Sequence, residues 1–274
     1  MNSINITQPN FQSNKYYTEI PYNTTSRSYY RNEKQTTGEQ IAKYTLWQAV
    51  AVGLTKLSQL CAEKLMQGKE FTSIDNVKTI ADEMLTKNKL KNKIKVNFVD
   101  SKNLGEISLR LPFSLKPHIK LVSEGKNAFY VDSLKTALAP KSKPSLILHE
   151  LGHAINASKG KLLKIMQKSR MFATSLPLFL IFANKALPKD EDRKTFIEKH
   201  AFALGCIGFL PTIIEEGLAS LRGLKAAKNF KDTTHKPINL KPLMKNYAFA
   251  WLTYVIAGIG LGITAKQTFI SDKK

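Results

Sequence analysis

The sequence predicts an α+β fold: a small sheet among helices, then a helix bearing a His-Glu-x-x-His motif, then C-terminal hydrophobic helices inserted in a membrane. Three observations predict it. Between residues 94 and 131 apolar side chains alternate with period two, as in half-buried strands. On either side of that stretch the spacing is three to four, as on one face of a helix. The longest uncharged stretches lie in the C-terminal half, and the last of them runs for 19 residues.

Each element follows in order. Residues 1–38 are rich in Asn, Thr, Ser, Gln and Tyr and read as a disordered N-terminal tail. Thr36-x-x-Glu39 has the form of a capping box and opens a helix reaching about Gln67. A second helix covers residues 73–87, with Ile74, Val77, Ile80, Ala81, Met84 and Leu85 on one face. Ile94, Val96 and Phe98, then Ile107, Leu109 and Leu111, then Ile119 and Leu121, then residues 128–131 predict three or four largely antiparallel strands. Ser142 and Pro144 suit the N-cap and first turn of a helix carrying residues 146–158. Together residues 39–170 make one domain.

Residues 171–184 and 201–214 are each 14 residues long without a charge, and each contains a proline. Both are short for a membrane span, so residues 171–214 read either as a shallow membrane hairpin or as buried core helices, with the hairpin favoured. Residues 215–246 form a further helix and a basic loop. Residues 247–265 reach span length and open the C-terminal hydrophobic helix and tail, 247–274. Within it, Gly258-x-x-x-Gly262 marks a helix-packing face.

With 274 residues the chain can bury a sizeable core in one or two domains. Its net charge of +21, from 42 Lys+Arg against 21 Asp+Glu, attracts an anionic lipid surface or nucleic acid. The basic residues are dispersed and not interleaved with aromatics, so no nucleic-acid partner is expected. Cys61 and Cys206 sit in apolar surroundings and read as free thiols of a reducing compartment. The N-terminus shows neither the basic start nor the apolar core of a secretory signal.

The chemistry is concentrated in His149-Glu150-Leu151-Gly152-His153. Residues four apart share a helix face, so His149 and His153 can reach one metal ion, expected to be Zn2+. Glu150 beside them can act as general base on a metal-activated water. A catalytic zinc takes three protein ligands and a water. The extended motif that would place a third histidine at position 159 is excluded, because Asn156 and Lys159 stand where Gly and His are needed. One of the adjacent carboxylates, Glu215 or Glu216, is the best third ligand; His200 is the fallback and His118 is read as structural. The competing reading caps a helix N-terminus with both glutamates.

HELGH, two apolar segments and Glu216-x-x-Ala219-Ser220 together resemble the membrane-embedded gluzincin endopeptidases, the group of the CAAX prenyl proteases and heat-shock membrane proteases. The resemblance covers residues 143–222. It implies a zincin-like core, Glu216 as third ligand and a membrane hairpin between the two motifs. Ser220 stands where that family has Asp; a hydroxyl can bond a ligand histidine but brings no charge. His235, in Thr-His-Lys-Pro, is similar to a C-terminal histidine of these peptidases and is a candidate oxyanion stabiliser.

The expectation is therefore a zinc metallopeptidase cutting a protein or peptide substrate, held along the edge strand at residues 128–131. Lys and Arg are abundant at residues 159–170 and 222–245, which puts the HELGH side in the cytoplasm. The alternatives are a non-catalytic membrane protein stapled by zinc and a basic protein that binds nucleic acid or anionic lipid.

Overall fold

Ser73 ends the first connection: its Oγ accepts the Asn76 N–H at 3.3 Å and starts α2 (Ile74–Lys87). Before it runs α1 (Thr37–Gln67), over the span expected. The computed structural model describes residues 37–173, 175–188, 195–230 and 238–270; the predicted tail lies almost wholly outside them. The protein is mostly helical, with one small sheet and two long apolar helices at the C-terminal end.

The sheet has three strands, β1 (Lys95–Val99), β2 (Phe129–Val131) and β3 (Thr136–Pro140), in the order β1-β3-β2. It is mixed: β1 runs parallel to β3 and β2 antiparallel to it. Two of the expected strands are helices. Residues 107–111 fall largely in α3 (Leu104–Leu109), and residues 119–121 fall in α4 (Lys116–Ser123). The reason is the true period of the apolar residues. Leu104, Ile107 and Leu111 pack on the core while Leu109 is 84% exposed, a spacing of three and four. Leu115, Ile119 and Val122 repeat the pattern, all fully buried.

Alternation holds inside the true strands. Phe129, Val131 and Leu138 face α3 and α4, whereas Tyr130, Ala137 and Ala139 face α2 and α5 (Leu146–Ser158). The sheet thus lies between two helical layers, and α5 is the best-buried helix. Ile147, Leu148, Leu151 and Ile155 are buried against the sheet and α2, each contributing roughly 1.5–3 kcal/mol. The cap of α5 is not Ser142. The helix begins after Ser145, whose N–H and Oγ–H both donate to Glu70, at 3.1 and 3.0 Å. A carboxylate from the α1–α2 connection thus fills the capping role from outside the helix. Tyr247 adds a 2.8 Å bond from its hydroxyl to the Ser145 carbonyl.

After α5 come α6 (Lys161–Ala173), α7 (Leu176–Ala186), α8 (Phe196–Asn229) and α9 (Lys241–Ile270). The second uncharged segment and the Glu215-Glu216 pair are parts of one helix, α8, so a boundary at residue 214 has no counterpart in the backbone. Helices α8 and α9 run antiparallel: Gly205 lies against Gly262, Gly217 against Trp251 and Gly223 against Tyr247. A Cβ on Gly262 would meet the Cys206 Sγ at 2.5 Å, and one on Gly258 the Ile213 side chain at 3.0 Å. Both glycines of the Gly258-x-x-x-Gly262 pattern therefore face α8. Helices α8 and α9 are long and apolar enough to cross a membrane; α7, with 11 residues, is not. Cys61 and Cys206 are free thiols, with no disulfide.

Candidate metal centre

The site forms where α5 crosses α8. Gly152 permits the crossing, because a Cβ there would stand 2.4 Å from the Ala219 carbonyl oxygen. At that distance the two imidazoles of α5, one turn apart, reach the carboxylates of α8. His149 Nε2 and His153 Nε2 are 3.0 Å apart. Glu216 Oε2 lies 3.1 Å from the first and 3.6 Å from the second. All three residues are buried, and their candidate ligand atoms lie within 4.8 Å of one another.

The donor set fits a metal. His153 Nδ1 donates to Glu215 Oε1 at 2.8 Å, since a carboxylate only accepts, so the ring, when neutral, turns its Nε2 lone pair inward. His149 Nδ1 bonds the Ser220 Oγ at 3.0 Å. Two ring nitrogens and a carboxylate oxygen then lie within 4.8 Å of one another, an arrangement that could hold a metal ion. Tetrahedral zinc with bonds of about 2.0–2.1 Å spaces its ligand atoms about 3.3 Å apart, close to the separations present. Charge agrees. Glu150, Glu215 and Glu216 bring three buried carboxyl groups beside one guanidinium, Arg170, and a bound cation would offset the excess of acid. Burial opposes charge on His153, yet Glu215 and Glu216 outweigh it and raise its pKa well above the usual histidine range.

Helical geometry separates the two glutamates, since consecutive residues point about 100° apart. Glu216 faces the imidazoles. Glu215 sits behind His153, where it also accepts from Asn156 Nδ2 at 3.0 Å and Arg170 Nη2 at 3.0 Å. Asn156 is held in turn by Arg222 Nε, 2.6 Å from its Oδ1. A carboxylate behind a ligand histidine fixes its tautomer and ring orientation. Glu216 thus lies with the two imidazoles, Glu215 lies behind His153, and Ser220 offers a bare hydroxyl to His149.

Glu150 is 3% exposed, and its Oε2 has no hydrogen-bond partner. Burial raises its pKa, with His149 and His153 pulling the other way. It opens onto a cleft of about 40 Å3 lined by His149, Tyr247, Tyr254, Asn127 and Ala128. That volume admits water but not a peptide. The cleft touches the start of β2, an edge strand whose three residues are buried.

Other expected residues lie apart. His200 packs on Phe196, with ring centroids 4.6 Å apart, roughly 24 Å along α8 from Glu216. His118 meets Phe129 on the far side of the sheet. His235 lies outside the described residues. Arg170, Asn156, Tyr247 and Tyr254 are site residues that sequence reasoning passed over; a single arginine in a basic run carries no spacing signal. Comparison of the chain with family models, curated proteins and solved structures finds no match, so the chemistry of these side chains alone carries the function.

Proposed function

We propose that the protein is a zinc-dependent endopeptidase with a zincin-like core, anchored in a membrane by α8 and α9. One observation carries the reading. Two imidazole nitrogens and a carboxylate oxygen lie within 4.8 Å of one another beside a buried glutamate, Glu150, which lines a cleft and whose Oε2 is unpartnered. His149, His153 and Glu216 would hold the ion, and a His-His-Glu set suits Zn2+. Bound there, zinc supplies Lewis acidity and a water of lowered pKa.

The rest is the work of the chain. Glu150 accepts the proton of the attacking water on its free oxygen and returns it to the leaving amide nitrogen. Its raised pKa keeps that return favourable. Glu215 and Ser220 hold the two rings so that both Nε2 lone pairs stay turned to the ion. The low volume of the cleft excludes bulk water from the carboxylate. An extended substrate would run along the β2 edge, which begins at the cleft wall. The Lys and Arg residues around the site favour its placement on the cytoplasmic side, against an anionic lipid surface. The site resembles that of the membrane-embedded gluzincins in its ligand order, with Ser220 in place of the acid.

A zinc staple without catalysis is the second reading. A purely structural site is closed by four protein ligands, whereas among the described residues three candidate ligands lie together, and the next residue after His149 is Glu150 with its Oε2 unpartnered. The test is elemental analysis of the full chain purified in detergent without chelator, followed by cleavage of an unfolded protein substrate. About one zinc per chain and cleavage lost in Glu150→Gln support the peptidase. Zinc without cleavage leaves the staple, and no zinc removes both.

A further inference from the structure

Arg170 belongs to neither motif and lies on α6, the helix between them. We propose that it is a positioning residue that holds Glu216 to the metal through one oxygen only. The inference rests on the metal reading above.

The carboxylate of Glu216 is divided between two tasks. Its Oε2 faces His149 Nε2 and His153 Nε2, at 3.1 and 3.6 Å. Its Oε1 is 2.6 Å from Arg170 Nη2. The same nitrogen is 3.0 Å from Glu215 Oε2, so one guanidinium corner ties the ligand glutamate to the orienting glutamate. The Arg170 side chain is 11% exposed and both glutamate side chains are 0% exposed, so water competes little for these bonds. The guanidinium also stands over the Tyr254 ring, 5.9 Å from its centroid, which fixes its plane beside the cleft.

The consequence is a coordination number. A carboxylate with two free oxygens can turn and chelate an ion with both. Here that turn would draw Oε1 out of its 2.6 Å ion pair with Arg170 and leave a buried cation without its acid. With Oε1 held, Glu216 gives one oxygen, the histidines give two nitrogens, and a fourth position stays free for water or substrate. Arg170 also sets a positive charge between two adjacent buried carboxyl groups, which offsets their mutual repulsion. Lysine keeps the charge but lacks the guanidinium plane that stands over the Tyr254 ring and holds Nη2 between the two acids.

Cobalt reports this directly, because four-coordinate Co2+ absorbs visible light more strongly than five- or six-coordinate Co2+. The full chain in detergent, Arg170→Gln and Arg170→Lys are stripped, loaded with one equivalent of Co2+ and compared in visible absorption and in zinc affinity by chelator competition. Far-UV circular dichroism checks the fold of each. The expected result is an intense spectrum for the unaltered chain. Arg170→Gln should show about a twofold or greater fall in intensity and a zinc affinity about 10–100-fold weaker. Arg170→Lys should fall between. If Arg170→Gln does not fold, Arg170→Lys decides alone. A folded variant whose cobalt spectrum and zinc affinity equal those of the unaltered chain overturns the positioning role and leaves the metal site standing. An unaltered chain that takes up neither metal overturns the metal reading and this inference together.

Discussion

Gly152 of α5 and Ala219 of α8 meet backbone to backbone, with no room between them for even a methyl group. The contact sets the depth at which two histidines of one helix reach two glutamates of the other. Gly152→Ala should push the helices apart and cost roughly 1–3 kcal/mol in overpacking. It should also weaken zinc binding at least tenfold, although no ligand has changed. Thermal melting with zinc titration checks both; unaltered zinc affinity would sink the idea.

Glu150 makes no hydrogen bond through Oε2 and is not one of the three candidate ligands. Glu150→Gln should therefore keep about one zinc and lose turnover by about 10²–10⁴-fold. Parallel metal and cleavage assays test this. A variant that cleaves at full rate removes Glu150 from the mechanism.

The adjacent glutamates should behave differently. Glu216→Gln should abolish stoichiometric zinc, while Glu215→Gln should retain zinc with an affinity about 10–100-fold lower. Ser220→Ala should have a smaller effect of the same kind, since its hydroxyl at His149 Nδ1 is uncharged. Equal loss in Glu215→Gln and Glu216→Gln would contradict the assigned division of roles.

Glu70 predicts a pH dependence. Burial raises its pKa, against the Ser145 bonds and Lys143 that lower it. The folded chain then binds this proton more readily than the unfolded chain, so stability falls as pH rises from the ordinary value of 4.5 through the raised one. Glu70→Gln has no such slope. The Tm of Glu70→Gln minus that of the unaltered chain should grow as pH rises from 4.5 to neutrality; a flat difference speaks against it.

The two long apolar helices predict behaviour in a membrane. The chain should stay in the pellet after alkaline carbonate washing, which strips proteins held by charge alone. Release by carbonate would return α8 and α9 to the role of core helices.

Much of the site is written in the sequence because helical spacing is a short-range code. His149 and His153 share a face by periodicity, and Glu216 stands in a second motif on one continuous helix. Alternation failed around Leu109, whose exposed side chain completed a false period of two between Ile107 and Leu111. The strand β3 left no trace, because its Thr-Ala-Leu-Ala-Pro has weak β-propensity and is a strand only by lying between two others. In the sequence Arg170 is one more charge of the basic run at residues 159–170. Its burial depends on how α6 packs against α8, a tertiary fact without a local pattern.

The small cleft has a kinetic meaning. An ion at His149 would sit behind walls from α1, α5 and α9, with Leu65, Tyr247 and Tyr254 among them. Its escape must wait for those helices to part. Release of zinc to a strong chelator should then be first order, at a rate set by the protein's own breathing and indifferent to chelator concentration. The same breathing would admit substrate, so agents that loosen α9 should speed metal loss and peptide turnover together.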